Sequence, residues 1–174
     1  MIRRLIVLLL CVVSLCVMAF AEADKTVTIL GGGAEKATLT TEEQRFVELT
    51  NAERKSRGLC ELQVAPLLVT VAREKSKEMH DLKYWGHESP VKNKRSAMRR
   101  LSTYLPEMPV YMTVGENLYY CNKVLVDSGH QALMNSPTHR KNILNPDYKY
   151  IGLGAFTGKD GRFWVTEIFL DIAY

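Results

Sequence analysis

The last quarter of the chain contains a β pattern that is apolar on both faces. Two runs, residues 150–156 and residues 162–171, flank a turn at 157–161 that contains two glycines, and this arrangement predicts an antiparallel hairpin. The second run alternates little between apolar and polar residues, which is typical of a strand covered on both sides. We therefore expect this strand to be central in a sheet, with other layers packed against both of its faces.

Helical signals precede the hairpin. Thr40 and Glu43 form a Thr-x-x-Glu capping box that opens a helix, and this helix is expected to end before Gly58. Pro66 opens a second helix, whose apolar residues recur at three- and four-residue steps until near His80. Further helices are predicted over 95–105, 124–135 and 136–143, whereas residues 110–120 give a mixed pattern. Helices that outnumber strands, together with an antiparallel pair, predict an α+β fold with helices packed on a sheet.

The first 21 residues have the pattern of an export signal. Arg3 and Arg4 precede an apolar run from Leu5 to Met18, and residues 19–21 form a small-x-small cleavage site. The apolar run is too short to favour a membrane span. Cleavage after Ala21 predicts a secreted or periplasmic protein with no stable membrane span.

The remaining chain divides into a leader at 22–39, with a short edge strand expected at 26–30, and one domain at 40–174. The net charge of +4 falls to +2, with 21 basic and 19 acidic residues, once the signal is removed. This balance gives no electrostatic basis for a nucleic-acid partner. The basic cluster between Lys92 and Arg100 is interpreted as a solvated surface.

Removal of the signal leaves two cysteines, Cys60 and Cys121. In an extracellular protein they can form a disulfide, which would stabilise the fold by about 4 kcal/mol through the loop of roughly 60 residues that it closes. Two unpaired buried cysteines are the alternative, because spacing in the sequence does not determine distance in space. The sequence leaves both alternatives open.

Three polar side chains lie beside turns or helix starts, where they can face a cleft: His87, Glu116 and His139. The sequence contains no His-Glu-x-x-His motif of a zinc protease and no Gly-x-Ser-x-Gly motif of a serine nucleophile. A shared site for the three residues is one hypothesis, and separate structural roles are the alternative.

Five segments occur in a fixed order between Glu42 and Phe169. They are Asn-Ala-Glu-Arg at 51–54, His-Glu-Ser-Pro at 87–90, Gly-Glu-Asn-Leu at 115–118, Asn-Ser-Pro-Thr-His-Arg at 135–140, and the hairpin runs at 151–154 and 163–169. In this combination the chain resembles the bacterial branch of the CAP superfamily, which comprises cysteine-rich secretory proteins, antigen five and pathogenesis-related proteins.

The resemblance implies a three-layer α-β-α sandwich with a central, mostly antiparallel sheet and a surface cleft. It implies that His87, Glu116 and His139 line this cleft. Asn117, which follows Glu116, and Glu167 on the terminal strand are further candidates for the cleft. The alternative for Glu167, which is favoured, is a polar residue that is hydrogen-bonded within the sheet or faces a helix.

The ligand types in this implied cleft suit a divalent metal. Two imidazoles and one carboxylate can hold zinc with an open position for water, and Glu116 can instead orient one of the imidazoles. The helix before His139, residues 131–136, has no acid where many eukaryotic members of the family carry a second glutamate.

Two functions follow from the resemblance. The first is a secreted binding module whose cleft takes an extracellular ligand, such as an envelope glycan, a peptide or a lipid, with or without a divalent metal. The alternative is a metal-assisted hydrolase or peptidase, in which His87 and His139 hold a metal or act as a base and Glu116 polarises water. The binding module is favoured because the fold does not fix a reaction and the chain has no clear nucleophile.

Overall fold

The computed structural model describes residue 26, residues 28–31 and residues 38–174. The predicted export signal at 1–21 lies outside the described residues. Within the described part of the chain, no helix is both long enough and apolar enough to cross a membrane.

The described part of the leader is helical at Thr26, Thr28 and Ile29. The edge strand expected there is therefore wrong. Leu30 is buried, and its carbonyl oxygen accepts a hydrogen bond of 3.2 Å from the backbone N–H of Leu67. The backbone N–H of Leu30 donates to the carbonyl oxygen of Thr26 at 3.0 Å, which is the i to i−4 hydrogen bond of a helix. The segment is therefore helical although its β-branched residues favour a strand.

Residues 38–174 contain five α-helices and a mixed four-stranded sheet, joined by loops. The helices are α1 (Thr41–Lys55), α2 (Pro66–Asp81), α3 (Ala97–Ser102), α4 (Val126–Asn135) and α5 (Pro137–Ile143), with a 3-10 turn at Lys92–Lys94. The strands are β1 (Gln63–Val64), β2 (Tyr111–Cys121), β3 (Tyr150–Thr157) and β4 (Phe163–Ala173). The sheet order is β1-β3-β4-β2, with a parallel pairing between β1 and β3 and antiparallel pairings elsewhere.

The predicted hairpin is confirmed, and β4 is its inner strand. Every residue from Phe163 to Leu170 is buried, because helices cover both faces of the sheet. Phe169 on one face packs in a cluster with residues of α1, α4 and α5, whereas Ile168 on the other face packs with residues of α2 and α3. The fold is therefore the α-β-α arrangement with a mostly antiparallel sheet.

The start of α1 confirms the capping box. The backbone N–H of Glu43 donates to Thr40 Oγ1 at 3.3 Å, and the backbone N–H of Thr40 donates to Glu43 Oε2 at 2.9 Å. The same carboxylate also accepts from Arg73 Nε on α2 at 2.8 Å and from the backbone N–H of Ala155 on β3 at 3.1 Å. A capping residue thus joins two helices to the sheet.

Helix α2 lies unusually close to β3. A Cβ atom at Gly154 would be 2.1 Å from the carbonyl carbon of Ala72 and from the backbone nitrogen of Arg73. No side chain fits between these backbones, so glycine sets the distance between helix and sheet.

Residues 111–121 form β2, a strand that the sequence pattern did not predict. Strand β2 pairs along its length with β4, with Gly115 opposite Phe169, Glu116 opposite Ile168 and Asn117 opposite Glu167. Gly, Glu and Asn are all depleted in strands, so pairing with a buried neighbour outweighs the local preference. Strand β2 is an edge of the sheet, and this edge carries the candidate site.

Candidate functional site

His87 and Glu116 are in direct contact. Strand β2 presents Glu116 on the sheet face that α2 covers, and His87 lies in the loop that follows α2. Nδ1 of His87 is 2.8 Å from Oε1 of Glu116. The Glu116 side chain is only 6% exposed and the His87 side chain 59% exposed, so a buried carboxylate holds a solvent-facing imidazole.

The second carboxylate oxygen of Glu116 is the notable atom of this pair. Oε2 is buried and has no hydrogen-bond partner among the described residues. A buried acceptor without a partner costs about 1–3 kcal/mol, so the fold leaves the hydrogen-bonding capacity of Oε2 unused.

Lys75 supports the loop that carries His87. Its side chain is buried on α2, and Nζ donates to Tyr84 Oη at 3.0 Å and to the carbonyl oxygens of Gly86 at 2.7 Å and His87 at 3.1 Å. Burial lowers the pKa of Lys75, and the negative charge of Glu116 opposes this shift. Lys75 follows Val71 and Ala72 at the three- and four-residue spacing of the apolar face of α2, and a charged residue at such a position is the sequence signal for a buried role.

His139 on α5 lies within electrostatic range of His87. Burial lowers the pKa of His139, and the positive charge of His87 lowers it further. The His139 imidazole is therefore neutral at pH 7 and offers one donor and one acceptor nitrogen. We call His87, Glu116 and His139 together the histidine cleft, after the surface cleft that the family resemblance implies.

Asn117 and Glu167, the further candidates, lie beneath the histidine cleft. Both are fully buried, so neither lines its surface. Asn117 Nδ2 donates to the carbonyl oxygen of His139 at 3.1 Å and to Oε2 of Glu167 at 3.0 Å. Asn142 Nδ2 in turn donates to Asn117 Oδ1 at 2.9 Å. This chain of amides fixes α5, and with it His139, against the edge of the sheet.

Glu167 is buried in an apolar environment. Burial raises the pKa of its carboxyl group to about 7, although hydrogen bonding by Asn117 and Thr50 opposes the shift. The Thr50 hydroxyl lies beside the carboxyl group, but neither Thr50 Oγ1 nor Glu167 Oε1 has a hydrogen bond of normal geometry. Glu167 therefore acts as a structural acid that carries a proton over much of the acidic range.

A second buried network holds the other end of the loop at 82–90. Glu78 Oε1 accepts from Arg100 at 2.7 Å, from Ser89 Oγ at 2.6 Å and from Tyr84 Oη at 2.5 Å. Burial alone would raise the pKa of Glu78, but these donors outweigh it and lower the pKa to about 2. Arg100 is 1% exposed, so its assignment to a solvated surface is wrong, because a carboxylate 22 residues away neutralises it inside the fold.

The two cysteines lie apart from the histidine cleft. Cys60 is an exposed free thiol, and Cys121 at the end of β2 is a partly buried free thiol. Of the two alternatives that the sequence left open, the structure adopts the unpaired one, although Cys60 is exposed rather than buried.

The side chains of the histidine cleft are of types that bind zinc, but Glu116 is not placed as a third ligand beside the two imidazoles. Within the described ranges 26, 28–31 and 38–174, no group of three or more His, Cys, Asp or Glu side chains is placed to hold a metal ion. Glu116 instead bonds to Nδ1 of His87, which is the contact of a residue that orients an imidazole.

Known proteins are similar to this chain in sequence and in fold. The sequence profile of the CAP family, the cysteine-rich secretory protein family, matches residues 47–169. An uncharacterised protein of Bacillus subtilis strain 168, YkwD, is 36% identical over 147 residues, which cover 84% of this chain and 53% of YkwD. The chain thus spans about half the length of this relative.

Two solved structures are similar in fold. An extracellular protein containing an SCP domain from Bacillus anthracis is 25% identical, with a TM-score of 0.60 over 77% of this chain and 44% of that chain. An outer surface protein from Borrelia burgdorferi is 19% identical, with a TM-score of 0.67 over 79% of this chain and 98% of that chain. The layers, the edge strand and the profile match over residues 47–169 lead to one conclusion: the chain belongs to the cysteine-rich secretory protein (CAP) family.

Proposed function

We propose that this protein is an extracellular ligand-binding module whose histidine cleft binds a polar group of an envelope glycan, peptide or lipid. The observation that carries the proposal is the buried, unpartnered Oε2 of Glu116 next to the exposed His87. A ligand N–H or O–H that reaches Oε2 when the exposed His87 ring moves aside would remove the penalty of an unpaired buried acceptor.

The neighbouring imidazoles extend this recognition. Glu116 fixes the orientation of His87 through Nδ1, which leaves Nε2 of the exposed ring available to a ligand. The neutral His139 adds a donor and an acceptor. The cleft therefore favours a ligand with several hydroxyl or amide groups.

An extracellular location rests on two supports. The first is the export signal predicted at 1–21. The second is that one similar structure is described as extracellular and another as an outer surface protein.

Zinc binding stays a prediction, and the proposed ligand binding does not depend on it. If a metal binds, His87 through Nε2 and His139 would be its protein ligands, and it would act as a Lewis acid. Calorimetric titration of the purified domain with zinc chloride at pH 7 tests this, and protons should weaken binding below about pH 6.5. The geometry of the site adds no observation in favour of the hydrolase alternative.

Thermal shift measurements test the binding proposal, because ligands of the native state raise the melting temperature. The probes are a soluble disaccharide-peptide of peptidoglycan, a tripeptide and a short-chain phosphatidylglycerol. At least one probe should stabilise the wild type, and Glu116→Gln and His139→Ala should reduce that shift. Glu61→Gln, a change at an exposed acid outside the cleft, is the matched control.

Two results would contradict the proposal. One is the absence of a shift with every probe, or shifts that are equal in all four proteins. The other is turnover of a probe by the wild type but not by a folded His139→Ala variant, which would favour the hydrolase.

A further inference from the structure

An aromatic pocket lies where the end of α2 meets the tip of the β3–β4 hairpin. Its volume is about 780 Å³, within the range of sites that bind small organic molecules. Trp85, Tyr120 and Trp164 form its aromatic wall. Among the described residues, those that line this pocket do not include His87, Glu116 or His139, so the aromatic pocket is separate from the histidine cleft.

The three rings of the wall form one packed cluster. The centroid of Trp85 is 5.9 Å from those of Tyr120 and Trp164, and the latter two centroids are 4.4 Å apart. Trp164 is buried, but Trp85 is 53% exposed. Support from two rings behind it holds the indole of Trp85 in place at the surface, where its open face can stack on a ligand.

Charged groups around the aromatic wall balance one another. Asp81 and Asp160 line the pocket together with Lys83 and Arg162, so the pocket has no net preference for an ion of either sign. Flat aromatic faces surrounded by carboxylates and cationic donors suit a neutral molecule that has an apolar face and many hydroxyl groups. A pyranose ring has both properties.

A second cavity shares part of its wall with the aromatic pocket. Its volume is about 640 Å³, and Tyr84 and Trp85 line it as well as the aromatic pocket. Three basic side chains and one acidic side chain line the rest of its charged surface: Lys92, Arg95, Arg99 and Glu88. Glu88 pairs with Arg95 at 2.9 Å. Lys92 and Arg99 form no ion pair with any described residue, so this basic cavity has an excess of positive charge.

We propose that the aromatic pocket and the basic cavity together bind an acidic glycan across Trp85. One sugar ring stacks on the exposed indole of Trp85 within the aromatic pocket. The carboxylate or phosphate of the adjoining unit faces Lys92 and Arg99. The shared wall of the two cavities carries the inference, because Tyr84 and the exposed Trp85 line both cavities, and a continuous chain of sugars that occupies both would cross this wall.

Calorimetric titration with two tetrasaccharides tests this proposal. Hyaluronan tetrasaccharide contains carboxylates, and chitotetraose is neutral and shares its N-acetylglucosamine units. Both should bind, and the hyaluronan fragment should bind about threefold more tightly at low salt. Sodium chloride at about 0.5 M should remove this difference, because the basic side chains are exposed to screening.

Substitutions separate the two cavities. Trp85→Ala should weaken the binding of both tetrasaccharides about tenfold, and Trp85→Phe should weaken it less. Tyr111→Ala is the control, because Tyr111 is an exposed aromatic residue outside both cavities. Arg99→Gln should remove the preference for hyaluronan and leave the affinity for chitotetraose unchanged. Lys55→Gln, which alters an exposed lysine elsewhere, should change the affinity for neither tetrasaccharide.

Four results would overturn the proposal. They are the failure of both tetrasaccharides to bind, binding that Trp85→Ala leaves unchanged in a folded protein, equal affinity for the two sugars at low salt, and binding of a glutamate tetrapeptide as tight as that of hyaluronan with the same dependence on Trp85.

Discussion

Replacement of Glu167 by glutamine should raise the stability of the protein at neutral pH. The carboxyl group is fully buried on β4, where burial raises its pKa from 4.5 to about 7. Glutamine has nearly the same shape and no charge, and its carbonyl oxygen can still accept the hydrogen bond from Asn117 Nδ2. The substitution therefore removes the titration and retains the packing.

The sign and size of the effect follow from proton linkage. Because the folded-state pKa of Glu167 is raised, the native protein retains a proton that the unfolded chain releases near pH 4.5. The free energy of unfolding therefore decreases as the pH rises from about 4.5 to about 7. A shift of about 2.5 pKa units at roughly 1.36 kcal/mol per unit predicts a loss of about 3 kcal/mol by pH 7. Glu167→Gln should recover this loss.

Urea denaturation of both proteins at pH 4.5 and pH 7 measures the effect. All other groups titrate alike in the two proteins, so the change in their stability difference between the two pH values isolates Glu167. Glu43→Gln is a control of opposite sign. Burial tends to raise the pKa of Glu43, but hydrogen bonds from Arg73, Thr40 and Ala155 outweigh it and lower the pKa. Glu43 therefore stabilises the fold above pH 4.5, and its loss should destabilise the protein at pH 7.

Two outcomes of these measurements would contradict a raised pKa of Glu167. A stability difference between wild type and Glu167→Gln that is the same at both pH values would refute a raised pKa at this position. A glutamine variant that is less stable than the wild type at pH 7 would show that the carboxyl group is ionised and well solvated in the native state.

Three further substitutions test the packing that positions the site. Thr40→Ala should lower the free energy of unfolding by about 1 kcal/mol, because the α1 cap loses its side-chain acceptor; an unchanged urea midpoint would contradict the cap. Gly154→Ala should lower the free energy of unfolding, measured by calorimetry, by about 1–3 kcal/mol or more, because its Cβ would lie 2.1 Å from the α2 backbone. A melting temperature like that of the wild type would show that α2 can move away. Arg100→Met should lower the free energy of unfolding by about 3–5 kcal/mol, because it leaves Glu78 buried without its cation. Arg95→Met, at an exposed ion pair, is the control and should lower it by at most about 1 kcal/mol. Similar losses of stability in both variants would argue against the buried network.

Elements with local signals could be predicted from the sequence. The capping box and Gly58 define α1, Pro66 and an apolar stripe define α2, and the turn glycines define the β3–β4 hairpin. Each of these signals lies within the element or beside it, so no distant contact is needed to recognise it. The contact between His87 and Glu116 could be expected for another reason, because family motifs contain both residues and the resemblance brings them together.

Features that depend on distant partners could not be predicted. Arg100 was assigned to the surface because charge clusters are usually solvated, and only the fold brings Glu78 to it. The aromatic pocket likewise needs the hairpin tip to meet the end of α2. No periodicity in the sequence encodes such a meeting, since the chain segments involved lie about 80 residues apart.

The residues that concealed β2 are those that build the site. Gly115, Glu116 and Asn117 disfavour a strand in isolation, yet each has a role at this sheet edge. A Cβ at Gly115 would lie 2.6 Å from the Tyr148 hydroxyl, Glu116 holds His87, and Asn117 holds the backbone of His139. An edge strand also exposes unpaired carbonyl groups, and Asn142 Nδ2 donates to that of Glu116 at 3.3 Å. Strand β2 therefore forms because β4 supplies its pairing energy, and this frees its own side chains for the cleft.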